Sequence, residues 1–367
     1  MKARALHSTL TTDGNIRLSL DEVDLGTPGP DEVIVRVDAT PMNPTDIALM
    51  LSGADLAKAT ASGGTLVAPV SPIILQIFAG RVDKPIPLGS EGSGTVVEAG
   101  SSPAAQALVG KIVAASGGMH ATHRRLPASA VRELPAGATA EDGASSFVNP
   151  MTALSFVETM RAEGHKAIVH TAAASNLGQM LIKICKADGV PLVNIVRKPA
   201  HVDQLRALGA EHVLDSSAPT FGEDLVNAIA ATGATIAFDA IGGGSLGGKI
   251  LDAMERVASK SMTTFSHYGS STPKQLYIYG SLDRAPTTLQ RTFGLTWSVG
   301  GYLVMNAMRK LGPEPVGRMF KRVAVELRTT FASHYTARIT LDQLLELETL
   351  RACAQMQTGE KYLIVPR

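Results

Sequence analysis

The chain has 367 residues, enough for two domains, and 45% of them are hydrophobic, which suffices for a sizeable core. Lys and Arg number 34 against 33 Asp and Glu, a formal net charge of +1, so the charge balance gives no case for nucleic acid or an anionic membrane as partner. Only two cysteines occur, Cys185 and Cys353, which excludes a disulfide framework and a cysteine-rich zinc site; no apolar leader follows Met1 and no run approaches the ~18 residues of a membrane span, so a soluble, cytoplasmic protein is expected.

Residues 1–40 alternate as strands do, most clearly from Glu32 to Asp38 after the turn signal Gly26-Thr-Pro-Gly-Pro30. Pro41-Met-Asn-Pro-Thr-Asp46 breaks that pattern, and Ile47 to Leu51 has helical character. Residues 52–80 carry small residues, then the apolar run Ile73 to Phe78, and show no readable motif. Further strands are expected at Thr95–Ala99, Lys111–Ala115, Met119–Leu126 and Ala130–Leu134. Many short strands with Gly and Pro turns point to an antiparallel, barrel-like domain.

From Glu141 the texture changes. Helical spacing runs to Glu163, interrupted at Pro150, and strand–helix alternation follows. Ala167-Ile-Val reads as a buried strand, Ala172 to Gly178 as a turn of small residues, Gln179 to Gly189 as an amphipathic helix, and Leu192 to Val196 as a second strand. This is a βαβ unit, and the alternation continues: helix 202–208, strand 212–215, helix 221–232, strand 235–240, helix 246–258 and strand 275–280. Such alternation implies a doubly wound parallel sheet. Two long helices, at 302–311 and 314–329, precede a last strand–helix–strand whose final strand, Lys361 to Val365, returns to the first domain.

The turn of the βαβ unit carries the first chemical signal. A dinucleotide needs backbone close to its pyrophosphate and free N–H groups at a helix start. The small side chains of Ala172, Ala173, Ala174, Ser175 and Gly178 permit that approach. The three-glycine fingerprint is not met, because Ser175 and Asn176, ahead of Leu177, stand in the glycine region; Asn tolerates a left-handed backbone, which keeps the turn feasible. An ordinary packing βαβ unit remains the alternative. At the end of the second strand, Arg197 and Lys198 stand where Asp or Glu would meet a ribose 2′-hydroxyl; basic residues there suit a 2′-phosphate, and hence NADPH.

Several segments then match one family together: Val33-Ile-Val-Arg-Val37, Asn43-Pro-Thr-Asp46, Gly89-Ser-Glu-Gly92, Ala172 to Gly178, Leu208 to Val213, Phe238 to Gly243 and Gly359 to Pro366. The chain resembles the medium-chain dehydrogenase/reductase superfamily, in particular its zinc-free quinone oxidoreductase-like branch. The resemblance implies an α/β fold: a GroES-like β-barrel domain (1–150 with 333–367) and a Rossmann doubly wound parallel-sheet domain (151–332). It also implies a homodimer and hydride transfer from NADPH to a small-molecule quinone or α,β-unsaturated carbonyl. Zinc-dependent relatives place cysteine and histidine where Asn43 and Ser90 stand here, so no metal is expected.

On the same resemblance, Asn43 is a candidate for a polar group near nicotinamide or substrate oxygen; a turn residue before Pro44 is the equal alternative. Asp46 either orients it or caps a helix. Thr152 starts a helix that lines the cofactor in relatives. Ala240 and Ile241, and Gly280 with Ser281, end parallel strands, where ligands of open sheets bind. Asn149-Pro-Met-Thr-Ala153 is similar to a stretch of mitochondrial enoyl reductases, which makes 2-enoyl thioester reduction the alternative enzyme reading. Those enzymes carry a proton-donating tyrosine in the N-terminal domain, whereas no tyrosine precedes Tyr268 here. An NADPH-binding protein without turnover, a redox sensor or crystallin-like protein, is the third reading.

Overall fold

The computed structural model describes residues 1–355 and 359–367. They form two compact units, residues 1–148 with 324–367, and residues 149–323.

The first unit opens with strands β1 (Lys2–Leu10), β2 (Asn15–Asp24) and β3 (Glu32–Pro41), followed by helix α1 (Pro44–Leu51). Residues 52–80 fold as a hairpin, β4 (Thr60–Ser62) and β5 (Thr65–Pro69), and a short helix, α2 (Pro72–Ile77). Then come β6 (Ile86–Pro87), β7 (Glu91–Ala99), α3 (Pro103–Gln106), β8 (Ile112–Ser116), β9 (His123–Pro127), β10 (Arg132–Glu133) and α4 (Ala140–Gly143). One sheet runs β4-β5-β2-β1-β6, and a second runs β10-β8-β7-β3 with β9 also paired to β3. Alternation along β1 and β2 buries Leu6, Leu10, Ile16 and Leu18, which pack with Ile47 and Met50 of α1. Val33, Val35 and Val37 of β3 face a separate core with Val96 and Val113.

Two strand expectations in this unit are corrected. Met119 to Thr122 is not strand: His120 N–H donates to Leu88 O (2.9 Å) and Leu6 N–H to His120 O (2.9 Å), so this segment laces β1 to the turn before β7. His120 therefore lies off β9. Within 130–134 only Arg132–Glu133 is extended, after a 3-10 turn at Ala128–Ala130.

The second unit begins within α5 (Val148–Ala162). Pro150 does not interrupt this helix, because it sits in the first turn, where no N–H is needed. Next are β11 (Ile168–Thr171), α6 (Asn176–Asp188), β12 (Leu192–Val196), α7 (Pro199–Ala207), β13 (His212–Asp215), α8 (Phe221–Thr232) and β14 (Ile236–Asp239). There follow β15 (Gly242–Gly244), α9 (Leu246–Lys260), β16 (Lys274–Ile278), β17 (Asp283–Thr287), β18 (Trp297–Gly301), α10 (Val304–Leu311) and α11 (Pro313–Val325). Six strands form a parallel sheet in the order β13-β12-β11-β14-β16-β18, while β15 and β17 make a small separate pair. The order reverses between β11 and β14, the switch point at which open α/β sheets bind ligands. Val169, Ala237 and Leu276 face one core, which also holds Phe293 with Trp297 edge-on at 5.0 Å. In-register partners His170, Phe238 and Tyr277 lie on the other face, where Phe156, Phe238, Tyr277 and Tyr302 pack ring to ring.

The chain then rejoins the first unit with β19 (Ala337–Ile339), α12 (Leu341–Leu344), α13 (Leu347–Ala354) and β20 (Tyr362–Ile364). β20 pairs antiparallel with the end of β3, which continues the second sheet to β19. No helix among the described residues is long and apolar enough to cross a membrane.

Candidate active-site residues in the two units

In the second unit, the turn between β11 and α6 is built as the small residues require. Ser175 caps α6, its Oγ accepting the Gly178 N–H at 3.1 Å. Gln179 Nε2 donates to Ala174 O at 2.9 Å, and Ala173 N–H donates to Ile195 O at 3.2 Å. A Cβ on Gly178 would lie 2.2 Å from Ala173 O, so only glycine lets the helix meet the turn this closely. The left-handed residue is Ala172, at φ +50°, not Asn176. Asn176 is the first residue of α6, followed by buried Leu177.

Arg197 and Lys198 follow β12, both exposed, and neither has an ion-pair partner among the described residues. Asp215 lies in register opposite Val196 on neighbouring β13. It is the one carboxylate at this edge that reading β12 alone overlooks. Its Oδ1 already accepts the Ser217 N–H (2.9 Å) and hydroxyl (2.7 Å).

At the ends of β14 and β16 a buried network fixes the backbone. Asp239 accepts the Thr171 hydroxyl (2.6 Å), Ile241 N–H (2.9 Å) and Gly242 N–H (3.1 Å). Thr171 Oγ1 in turn accepts the Ala240 N–H at 2.8 Å. Gly280 packs on this segment, since a Cβ there would lie 2.5 Å from Ala240 O. Gly280 and Ser281 line a cavity of about 650 Å³ with Tyr279, Tyr302, Leu303 and Thr159. Thus Ala240, Ile241, Gly280 and Ser281 cluster at one end of adjacent strands. Thr152 does not line that cavity; it is buried in α5, where its carbonyl accepts the Ser155 hydroxyl at 2.8 Å.

In the first unit, Asn43 and Asp46 flank the start of α1, both buried. Asp46 does not orient the Asn43 side chain. One carboxylate oxygen accepts the Asn43 backbone N–H (2.9 Å), and the other accepts the Ser90 N–H (2.7 Å) and hydroxyl (2.5 Å). Asn43 Nδ2 donates to Glu91 Oε1 at 2.9 Å, while its Oδ1 is buried without a partner. Glu91 Oε2 accepts the N–H groups of Phe147 (2.8 Å) and Val148 (3.0 Å). Burial raises the Glu91 carboxyl above the usual range, against the pull of Lys361 and these donors. Burial lowers Lys361, whose Nζ has no hydrogen-bond partner among the described residues. His120 is also buried, its Nε2 3.3 Å from Pro41 O, and burial lowers its pKa despite Asp46. Among the described residues no three His, Cys, Asp or Glu side chains are grouped to hold a metal.

Sequence reading passed over Glu91, Lys361, His170 and Tyr279 as chemistry. A signal existed for the last two. A histidine inside the apolar run Ala167 to Thr171 is unusual, and period two puts Tyr277 and Tyr279 on one face.

Residues 29–141 match the Alcohol dehydrogenase GroES-like domain family. The chain is 28% identical over 206 residues to mitochondrial enoyl-[acyl-carrier-protein] reductase of Xenopus tropicalis, covering 54% of this chain and 51% of that protein. It thus spans about half the length of that curated relative. Among solved structures, a protein described as an NADPH:quinone reductase of Mesorhizobium loti is similar at 25% identity and TM-score 0.73, over 100% of this chain and 98% of that one. A mutant form of enoyl thioester reductase from Candida tropicalis is similar in fold, at 19% identity and TM-score 0.68, over 100% of both chains. The barrel domain thus matches the Alcohol dehydrogenase GroES-like family, and in sheet order and whole-chain fold the protein is similar to the zinc-free, quinone oxidoreductase-like side of the medium-chain dehydrogenase/reductase superfamily.

Proposed function

We propose that the chain is a zinc-independent, NADPH-dependent oxidoreductase that delivers hydride to a quinone or α,β-unsaturated carbonyl. The observation that carries this reading is the β11–α6–β12 unit, with its close-packed turn and with Arg197 and Lys198 unpaired at the end of β12. The residues fit the cofactor. Ala174, Ser175, Asn176, Leu177 and Gly178 form a small-residue turn at a helix start, which suits a pyrophosphate. Arg197 and Lys198 suit a 2′-phosphate. Ala240, Ile241, Gly280 and Ser281 sit at strand ends, and Thr152 belongs to the same proposal. When bound, NADPH supplies the hydride.

The chain's own residues bind, orient and polarise. The Asp46 carboxylate ties the start of α1 to Ser90, and Asn43 is held by Glu91. In place of zinc ligands, Asn43 and Ser90 thus form an inward-tied hydrogen-bonded group, which supports zinc independence. Asn43 Oδ1 is the polar atom this group leaves for a ligand.

A second reading, 2-enoyl thioester reduction, has a specific observation in its favour: the curated relative above is an enoyl-[acyl-carrier-protein] reductase, and Asn149-Pro-Met-Thr-Ala153 resembles a stretch of such enzymes. The first unit's lack of a tyrosine before Tyr268 weighs against it. Loss of NADPH absorbance with a quinone, an enone and a crotonyl thioester separates the readings. Turnover of quinone or enone in preference to the thioester is expected, and no acceptor-dependent oxidation with any of the three would defeat the proposal. A cytoplasmic homodimer is part of the same reading; light scattering checks the dimer.

A further inference from the structure

The structure assigns Tyr279 as the hydrogen-bond donor to the developing oxyanion of the acceptor, with His170 as its positioning residue. The assignment rests on the hydride-transfer reading above. Tyr279 is the first residue after β16 and lines the same cavity as Gly280, Ser281 and Tyr302. Its hydroxyl lies 2.8 Å from His170 Nε2, and the two rings stack with centroids 5.9 Å apart and 13° between planes. Phe156 packs against both rings, with centroids 4.9 Å from Tyr279 and 6.0 Å from His170.

The tautomer of His170 decides what the hydroxyl can do. His170 is fully buried, and its Nδ1 has no hydrogen-bond partner among the described residues. A buried N–H without a partner is rarer than a bare lone pair. Nδ1 therefore carries the lone pair and Nε2 carries the proton, which it donates to the tyrosine oxygen. The hydroxyl hydrogen of Tyr279 then has no acceptor among the described residues, on a side chain that lines the cavity. Burial pushes His170 down to about 3, so the ring stays neutral and keeps this arrangement across the working range. Burial and Asp239 push Tyr279 up, so it donates a hydrogen bond without giving up its proton.

When hydride is delivered to the β-carbon, the C=C pair would shift to the bond between the α-carbon and the carbonyl carbon, the C=O π pair would move onto the carbonyl oxygen, and that oxygen would accept from Tyr279 until the C=O re-forms. The α-carbon proton comes from water. A neutral donor aimed at forming charge is the arrangement that catalyses such steps.

Two variants and two readouts test this. Tyr279→Phe keeps the ring stack. His170→Leu/Tyr279→Phe also removes the N–H that the first change would strand, so a folded core is retained. The readouts are NADPH oxidation with an enone, and calorimetric binding of 4-nitrophenolate, a stable anionic oxygen that needs no turnover. Both variants are expected to lower kcat about 10²-fold, to bind NADPH as the wild type does, and to bind 4-nitrophenolate about tenfold more weakly. His170→Gln, whose amide can still donate to the hydroxyl, is expected to retain more activity than His170→Leu. Unchanged turnover and phenolate affinity in both variants would overturn the assignment and leave the proposed activity standing. A wild type that oxidises no NADPH but binds phenolate through Tyr279 would overturn the activity and with it the catalytic assignment, leaving Tyr279 as a donor to a bound anionic oxygen only.

Discussion

Each unit buries a glutamate near a lysine, and the two pairs behave oppositely. In the second unit, Lys274 Nζ meets Glu255 Oε2 at 2.5 Å, and Ser259 and Ser270 fill the remaining lone pairs at 2.6–2.7 Å. Lys274 is further held by Ser270 (3.2 Å) and Thr272 O (2.9 Å). Burial alone would raise Glu255, but these donors outweigh it and hold the carboxyl at about 2. In the first unit, Glu91 has three neutral donors and no ammonium in hydrogen-bond reach, so burial wins and raises it. The contrast teaches that depth does not decide the state of a buried carboxyl. A directly bonded cation does, and without one the group drifts toward neutrality. The first pair is a clamp, whereas the second is a protonation site left soft beside Asn43.

Removing the cations breaks or sharpens that contrast most strongly. Lys274→Met strands a charged, buried Glu255 and is expected to cost about 3–5 kcal/mol in urea unfolding. Lys361→Met removes a buried ammonium that makes no hydrogen bond, so a change within about 1 kcal/mol of either sign is expected. Equal losses would abolish the distinction.

The pH dependence should follow with opposite slopes. Glu255 lies below its ordinary 4.5 in the folded state, so its stabilisation is full above pH 4.5 and is lost as pH falls toward 2. Glu91 lies above its ordinary 4.5, so it costs nothing below pH 4.5 and progressively destabilises as pH rises past that value. Relative to wild type, Glu255→Gln is expected to look worst at neutral pH and to converge in acid. Glu91→Gln is expected to gain on wild type as pH rises. Slopes of the same sign would refute the account.

Arg197 supplies the exposed counterpart, a cation with no buried carboxylate to satisfy. Arg197→Ala should leave stability within about 0.5 kcal/mol, weaken NADPH binding about tenfold, leave NADH almost unaffected and lose its effect in high salt. Equal NADPH and NADH affinities in the wild type would remove Arg197 from the site and turn attention to Asp215. The smallest effect expected is conformational rather than electrostatic. Ala172→Gly relieves a left-handed alanine and should raise stability by up to about 1 kcal/mol, the gain trimmed by glycine's freer unfolded chain.

Much of the fold was legible because buried parallel strands advertise themselves as short apolar runs between turn residues, as at Ala167–Val169 and Leu192–Val196. Errors fell where hydrogen bonds, not hydrophobic period, set the backbone. Met119 to Thr122 looked like strand but serves as lacing, and Pro150 looked like a break but opens a helix. Residues 52–80 carried too little pattern to reveal their hairpin, whose β4 is fully exposed. The candidate site was less legible still. Asn43, Asp46 and Ser90 share motifs that can be read locally. Glu91 stands in the same motif as Ser90, but the groups that define its chemistry, Asn43, Phe147, Val148 and Lys361, come from distant stretches. Even Tyr279, one residue from the noted Gly280, was readable only as a turn until His170 was seen against it.

The aromatic layout has a practical consequence for spectroscopy. The chain holds a single tryptophan, Trp297, on the edge strand of the parallel sheet and edge-on to Phe293. Intrinsic tryptophan emission therefore watches the second unit alone and is blind to the barrel. A denaturation curve followed by fluorescence, laid over one followed by far-ultraviolet circular dichroism, would show whether the two units melt as one or in turn, with no label added.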